Sequence, residues 1–268
     1  MVVGSNFITR GSTAYDRLMG RWSLRLAPLF IEFAGVMPGE HIVDVGCGTG
    51  NLAGALLARN DLASIDALDY DADFVATAKA RLPSIAERVI QGDACALPYQ
   101  EAAFDRALAM LLLHFVNDAK TAALEMRRVV KPGGTIAACV WDHYGGMPAQ
   151  RMFWDTACVI EPAIAEHWAA FAYRPTTGAG ELCAAFEAAG LTKITETLLT
   201  IRMDFADFED YWQPLISGHG RLDVLLAAHD QARIKSAVRA AYLSGRPDGP
   251  RSFASVAWAV RGIRDSRD

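Results

Sequence analysis

Apolar and polar positions recur along this chain with a period that switches repeatedly, and each switch marks an element. Over residues 14–35, Leu18, Trp22, Leu26, Leu29 and Phe30 fall at helical spacing behind the cap candidates Ser12 and Thr13. One or two amphipathic helices are predicted there, with Pro28 as a kink or break. Residues 41–46 form a short β-branched run ending in glycine, after which Leu52, Leu56 and Leu57 return to the helical period. The same alternation continues: strand at 64–70, helix at 72–82 (Phe74, Val75, Ala78, Leu82), strand at 88–93, and a fully buried strand at 104–113. Residues 118–130 place Ala122, Met126, Val129 and Val130 on one helical face, stopped by Lys131-Pro132-Gly133-Gly134, and 135–141 is again a strand. This pattern predicts an α/β fold: a mostly parallel sheet with helices on both faces.

Beyond Trp141 the pattern loosens. Residues 143–175 hold Phe153, Trp154, Trp168, Phe171 and Tyr173 among weakly periodic helical stretches. A helix at 181–189 (Leu182, Phe186) closes at Gly190, and 191–203 alternates as a strand. A second helical stretch over 206–243 carries Leu222, Leu225, Leu226, Ile234, Val238, Ala241 and Tyr242 on its faces, and a last strand is expected at 253–260. The expected organisation is one domain over 1–268, with a core at 36–142 and helical cap insertions at 143–175 and 206–249. The Trp141, Trp154 and Trp168 side chains read as core rather than as a cage for substrate.

Composition narrows the function classes. The chain has 268 residues, 52% of them hydrophobic and 21% charged, which suits a globular protein and not a disordered one. Lys and Arg number 26 against 31 Asp and Glu, net −5, and no basic run exceeds Arg127-Arg128, so binding nucleic acid by neutralising phosphates is not expected. Five scattered cysteines without C-x-x-C spacing suggest neither a disulfide frame nor a metal site, and point to a reducing compartment. The longest apolar run, 107–113, is far short of the roughly 20 residues a membrane helix needs. Residues 1–7 lack the basic and apolar regions of a signal peptide, so a cytoplasmic location without membrane association is expected.

The chemistry concentrates in Val43-Asp44-Val45-Gly46-Cys47-Gly48-Thr49-Gly50. Glycines after a first strand let the backbone turn sharply and let a ligand approach it. A dinucleotide fingerprint would read G-x-G-x-x-G, but here the third glycine falls one place early. Asp44, two places before the first glycine, would not help a pyrophosphate; a ligand bearing a cationic centre suits it better.

This segment resembles motif I of the class I S-adenosylmethionine-dependent methyltransferases, of the bacterial small-molecule, methyltransferase 11-like type. Three further stretches agree in order and spacing. Leu68-Asp69-Tyr70-Asp71-Ala72-Asp73-Phe74 is similar to the family's second-strand motif, with Asp69 23 residues after Gly46. Gln91-Gly92-Asp93-Ala94, with Leu97-Pro98 and Phe104-Asp105, resembles its G-D-A…L-P…F-D pattern, and Leu111 to Asp118 with Glu125 to Gly134 completes the set. Tyr15-Asp16-Arg17-Leu18-Met19-Gly20-Arg21 also looks like the family's N-terminal helix, which helps close over the methionine end.

The resemblance implies a Rossmann-like seven-stranded sheet with an antiparallel last strand, and S-adenosyl-L-methionine as cofactor with S-adenosyl-L-homocysteine as product. It implies contacts to that cofactor from Tyr15, Arg21, Asp44, Gly46, Cys47, Gly48, Asp69, Tyr70, Asp93, Ala94 and Met110. Within that set Asp69 would hold the ribose hydroxyls, although Asp66, Asp71 and Asp73 crowd the same turn. Asp93 and the Ala94 N–H would read the adenine edge, Tyr70 would lie against a ring face, and Arg21 would meet the methionine carboxylate. The implied reaction is in-line methyl transfer to a small molecule.

His114 is a candidate general base, or else a structural histidine leaving a buried strand. Asp142, His143 and Tyr144 are candidates for acceptor contacts. No N-P-P-Y or P-C-Q segment of the DNA-modifying relatives and no carboxylate cluster for a magnesium-assisted reaction occurs, so a small organic acceptor is the default. Two other readings stay open: a non-catalytic S-adenosylmethionine sensor and a nicotinamide-dependent oxidoreductase. Oligomeric state and the acceptor atom leave no legible mark.

Overall fold

A computed structural model describes residues 11–165, 174–218 and 222–266. The readings placed on residues 1–7 and on Trp168, Phe171 and Tyr173 lie outside the described residues.

Seven strands form one sheet: β1 (His41–Val45), β2 (Ser64–Asp69), β3 (Val89–Gln91), β4 (Phe104–Met110), β5 (Val130–Trp141), β6 (Thr192–Phe205) and β7 (Arg251–Ile263). Their order is β3-β2-β1-β4-β5-β7-β6, with β7 antiparallel to both its neighbours and the others parallel. The α/β class and the antiparallel last strand are as the sequence leads one to expect. The chain winds outward in one direction from β1 and in the other from β4, so the crevice beyond the carboxyl ends of β1 and β4 is the topological switch point, where open sheets of this kind bind ligands.

Alternate residues of the central strands enter opposite layers. Ile42, Leu108, Ala137 and Cys139 face one core, together with the helices Arg21–Ala34, Asn51–Leu57 and Ala72–Arg81. Val43, Ala107, Ala109, Ile136, Ala138 and Val140 face the other, with Ala119–Val129 and Glu181–Ala188. A strand covered on both faces reads as a continuous apolar run, which is why β4 and β5 lack visible alternation.

Several boundaries differ from the expectation. The β4 strand stops at Met110 because Leu111 takes φ +62°, and Leu113–Phe115 forms a single 3₁₀ turn. Pro28 does not end its helix, which runs from Arg21 to Ala34; Pro28 sits on the solvent face, where water can satisfy the freed carbonyl. The predicted lead-in helix begins as Ser12–Tyr15 and is interrupted by one π turn, Asp16–Gly20. Both stretches read as helical insertions do hold helices: Pro148–Ile160, then Phe208–Gly218, Leu222–Ala227 and Gln231–Leu243. Their aromatic residues pack on one another, as in Phe153 with Trp212 (centroids 6.1 Å apart), and Tyr211 Oη donates to the Ala149 carbonyl at 2.9 Å. Trp141 and Trp154 are buried in the core. No helix among the described residues is long and apolar enough to cross a membrane.

Candidate active site

The turn after β1 builds the site. Gly46, Gly48 and Gly50 all take positive φ (+74°, +54° and +90°), and the Gly46 and Cys47 N–H groups both donate to the Leu68 carbonyl at 2.9 Å. Gly46 has a second reason to lack a side chain: a Cβ there would lie 2.6 Å from Leu112 Cδ1, where the chain leaving β4 crosses the turn. At the end of β2, Asp69 is locked by two backbone donors, Gly48 N–H to Oδ2 (2.8 Å) and Asp71 N–H to Oδ1 (3.0 Å). Burial pushes its carboxyl above the ordinary range, and these hydrogen bonds oppose that shift.

A cavity of about 220 Å³ opens over this turn. It brings together nine of the twelve candidate residues: Tyr15, Gly46, Cys47, Gly48, Asp69, Tyr70, Asp93, Ala94 and Met110. Tyr70 is half-exposed at the rim, Asp93 Oδ1 accepts from the Cys95 N–H at 2.8 Å, and Tyr15 packs on Phe74 with centroids 5.2 Å apart. Burial drives the Cys47 thiol well above its usual range, with the Asp44 and Asp69 charges adding to the shift, so it stays a thiol.

Three candidates stand apart from the lining. Arg21 turns to Asp210, with Nη1 on Oδ1 at 2.7 Å and Nη2 on the Asp210 carbonyl at 3.1 Å, and its guanidinium lies 4.2 Å from the Trp22 ring centre. The π turn explains this: the extra residue rotates the following helix by about 100°, so that Ser23, not Trp22, shares the Tyr15 face. Asp44 lies under the loop, 1% exposed; its Oδ2 accepts from Ala53 N–H (3.1 Å) in the first turn of the helix Asn51–Leu57, while Oδ1 has no partner among the described residues. Burial raises the Asp44 carboxyl to about 8, with the Asp69 charge adding to the effect. His114 is 2% exposed and is not part of the cavity lining; its ring centroid lies 5.5 Å from that of His143. Burial, then the charges of His143 and Arg174, hold its pKa well below the ordinary value, so it is neutral. The 3₁₀ turn sends the adjacent Phe115, not His114, into the lining.

Sequence reasoning missed Ser23, Asn51, Asp71, Leu112, Phe115 and Val116, all of which line the cavity. Asn51 Nδ2 donates to Ser23 Oγ at 2.8 Å, giving the glycine-loop side a polar wall, whereas the wall from the β4 exit is apolar. The residues fit a ligand with a cationic centre and a ribose: an orphaned buried carboxyl oxygen at Asp44, a second carboxylate at Asp69, and a glycine loop its ligand can touch.

Residues 43–138 match the model of a methyltransferase domain. The demethylmenaquinone methyltransferase of Renibacterium salmoninarum is 32% identical over 137 residues, 51% of this chain and 56% of the relative. The 2-phytyl-1,4-naphtoquinone methyltransferase of Synechocystis is 32% identical over 145 residues, 52% of this chain and 60% of the relative. The chain thus matches little more than half the length of these relatives. Among solved structures, the phosphoethanolamine N-methyltransferase 2 of Haemonchus contortus in complex with S-adenosyl-L-methionine shares the fold, with a TM-score of 0.58 and 14% identity over 95% of this chain and 56% of that one.

Proposed function

We infer that this member of the class I S-adenosylmethionine-dependent methyltransferases moves a methyl group from S-adenosyl-L-methionine to a small organic acceptor. The observation that carries the reading is the pair of carboxyls at the glycine turn, Asp69 facing the cavity and Asp44 buried beneath it, which disfavours a pyrophosphate and favours a cationic ligand. When bound, S-adenosyl-L-methionine supplies a methyl group activated by a sulfonium leaving group. Asp69 binds the ribose hydroxyls through charge-assisted hydrogen bonds, while Asp93 and the Ala94 N–H take the adenine edge beside Tyr70. The glycine turn with Ser23 and Asn51 receives the amino-acid end. Leu111, Leu112, Phe115 and Val116 exclude water and orient an acceptor with an apolar body, a class that the quinone-methylating relatives support. His114 serves as a buried structural residue, and the chain accelerates transfer chiefly by alignment. The free cysteines among the described residues, Cys47 and Cys139 buried, support action in a reducing cytoplasm.

Calorimetric titration with S-adenosyl-L-methionine, S-adenosyl-L-homocysteine and NAD tests the reading. Micromolar binding of the two sulfur ligands and none of NAD is expected; silence toward both sulfur ligands overturns it. Arg21 has no part in this binding. The Arg21→Ala variant should change the affinity for S-adenosyl-L-methionine less than about threefold, and lower stability by up to about 1 kcal/mol through the lost Asp210 pair and Trp22 stacking. A tenfold loss of affinity would instead mean that Arg21 swings to the ligand.

A further inference from the structure

The segment 12–20 lies against the cavity, contributing Tyr15 to its wall, and is tied down at one carboxylate. Asp16 Oδ1 accepts from Thr49 Oγ1 at 2.6 Å, beside the glycine turn, and Oδ2 pairs with Arg81 Nη2 at 2.5 Å, at the end of the helix Ala72–Arg81. One side chain thus joins the lead-in segment to the elements after both β1 and β2. Around it the segment is fitted closely. The Ser12 N–H donates to Asp73 Oδ2 at 2.7 Å, and Thr77 Oγ1 donates to Ser12 Oγ at 2.8 Å. At Gly218 a Cβ would lie 2.6 Å from Leu18 Cβ and 2.9 Å from the Ala14 carbonyl, so that glycine lets the helix Phe208–Gly218 rest directly on the segment.

Gly20 makes the Asp16 geometry possible. It closes the π turn, and a Cβ on it would stand 2.6 Å from Asp16 Oδ1 and 3.2 Å from Asp16 Cγ. The carboxylate therefore occupies the space that any other residue at position 20 would fill. The Gly20 carbonyl also accepts from Ser23 Oγ (3.0 Å) and Asn51 Nδ2 (3.3 Å), so the same turn sets the polar wall of the cavity.

We propose that Asp16 is a positioning residue: seated against Gly20, it latches the segment Ser12–Gly20 to the glycine turn and to the helix after β2, and thereby sets how fast the bound cofactor or its product leaves. The rate of exit rests on the S-adenosylmethionine reading of the cavity; the latch itself does not. Breaking it frees Tyr15 and Ser23 together, because both hang on the same π turn.

The test uses the full chain in three variants. Asp16→Ala removes the latch, Arg81→Gln removes one partner at a half-exposed position, and Gly20→Ala displaces the carboxylate sterically. Gly20→Ala is the sharpest, since alanine in a helix otherwise stabilises relative to glycine, and a loosened segment runs against that propensity. Hydrogen exchange of the ligand-free protein should quicken about tenfold or more across residues 12–23 in Asp16→Ala and Gly20→Ala, and less in Arg81→Gln, with β1 and β4 unchanged. Stopped-flow displacement should give S-adenosyl-L-homocysteine dissociation faster in the same order, at unchanged midpoints of thermal unfolding. Unaltered exchange over 12–23 overturns the latch. Quickened exchange with an unaltered dissociation rate reduces Asp16 to a structural contact and overturns its positioning role. A wild-type protein that binds no S-adenosyl-L-homocysteine overturns the cofactor reading, and the exchange data still decide the latch.

Discussion

Replacing Asp69 by alanine is expected to weaken S-adenosyl-L-methionine binding by roughly 1.5–3 kcal/mol, about 10- to 150-fold, without unfolding the protein. The carboxylate carries two loads. One is internal: its oxygens hold the Gly48 and Asp71 N–H groups and so fix the glycine turn relative to the end of β2. The other is the ligand, since a second lone pair on each oxygen can accept from vicinal hydroxyls. Alanine removes both, whereas Asp69→Asn keeps one acceptor oxygen and the shape. The asparagine variant should therefore bind more weakly than wild type by about half the alanine variant's loss in free energy, roughly three- to twelvefold. Calorimetry beside thermal unfolding separates the loads: equal losses of affinity and of stability in both variants would indicate a collapsed turn. Unchanged affinity in a folded Asp69→Ala protein would move the ribose contact elsewhere, with Asp71, which also lines the cavity, as the next residue to change.

The route from sequence to this site was legible wherever local chemistry dictates the backbone. Three glycines behind a β-branched run admit few conformations other than the positive-φ turn observed at Gly46, Gly48 and Gly50. An aspartate closing the second strand falls beside that turn because β1 and β2 pair in parallel, Val45 against Leu68. What local chemistry does not dictate was lost. The π turn at Asp16–Gly20 has no compositional mark, yet its one extra residue exchanges Trp22 for Ser23 at the cavity and leaves Arg21 with Asp210. Leu111 is not a residue type that advertises positive φ; the turn is fixed from outside, by its N–H donating to the Cys139 carbonyl on β5 at 2.8 Å. That turn decides that Phe115 lines the cavity and His114 does not. In both places a turn that no window of sequence marks selects which of two adjacent residues reaches the cavity wall.

The affinity for S-adenosyl-L-methionine is expected to rise with pH between about 6 and 8 and then level off, because of Asp44. In the ligand-free protein this carboxyl is buried with one oxygen unpartnered among the described residues, and burial raises it to about 8, so at pH 7 it holds its proton. A ligand carrying sulfonium and ammonium charges favours the ionised form and expels that proton. Binding is then coupled to release of close to one proton below pH 8, and the dissociation constant should fall by up to tenfold per pH unit until the free protein itself loses the proton. The stability of the free protein moves oppositely. Asp44 is raised from an unfolded value near 4, so its contribution is fully present below about pH 4 and is lost as pH climbs through about 8. Asp69, also raised, acts in the same direction on both quantities, and Asp44→Asn isolates the Asp44 share. That variant keeps an oxygen for the Ala53 N–H, and should lose most of the pH slope while gaining stability over wild type near pH 8. Calorimetry in buffers of differing ionisation enthalpy reads the proton count directly. A pH-independent dissociation constant with no proton released would mean that Asp44 only holds the Ala53 N–H in the first turn of the helix Asn51–Leu57 and takes no part in attracting the ligand.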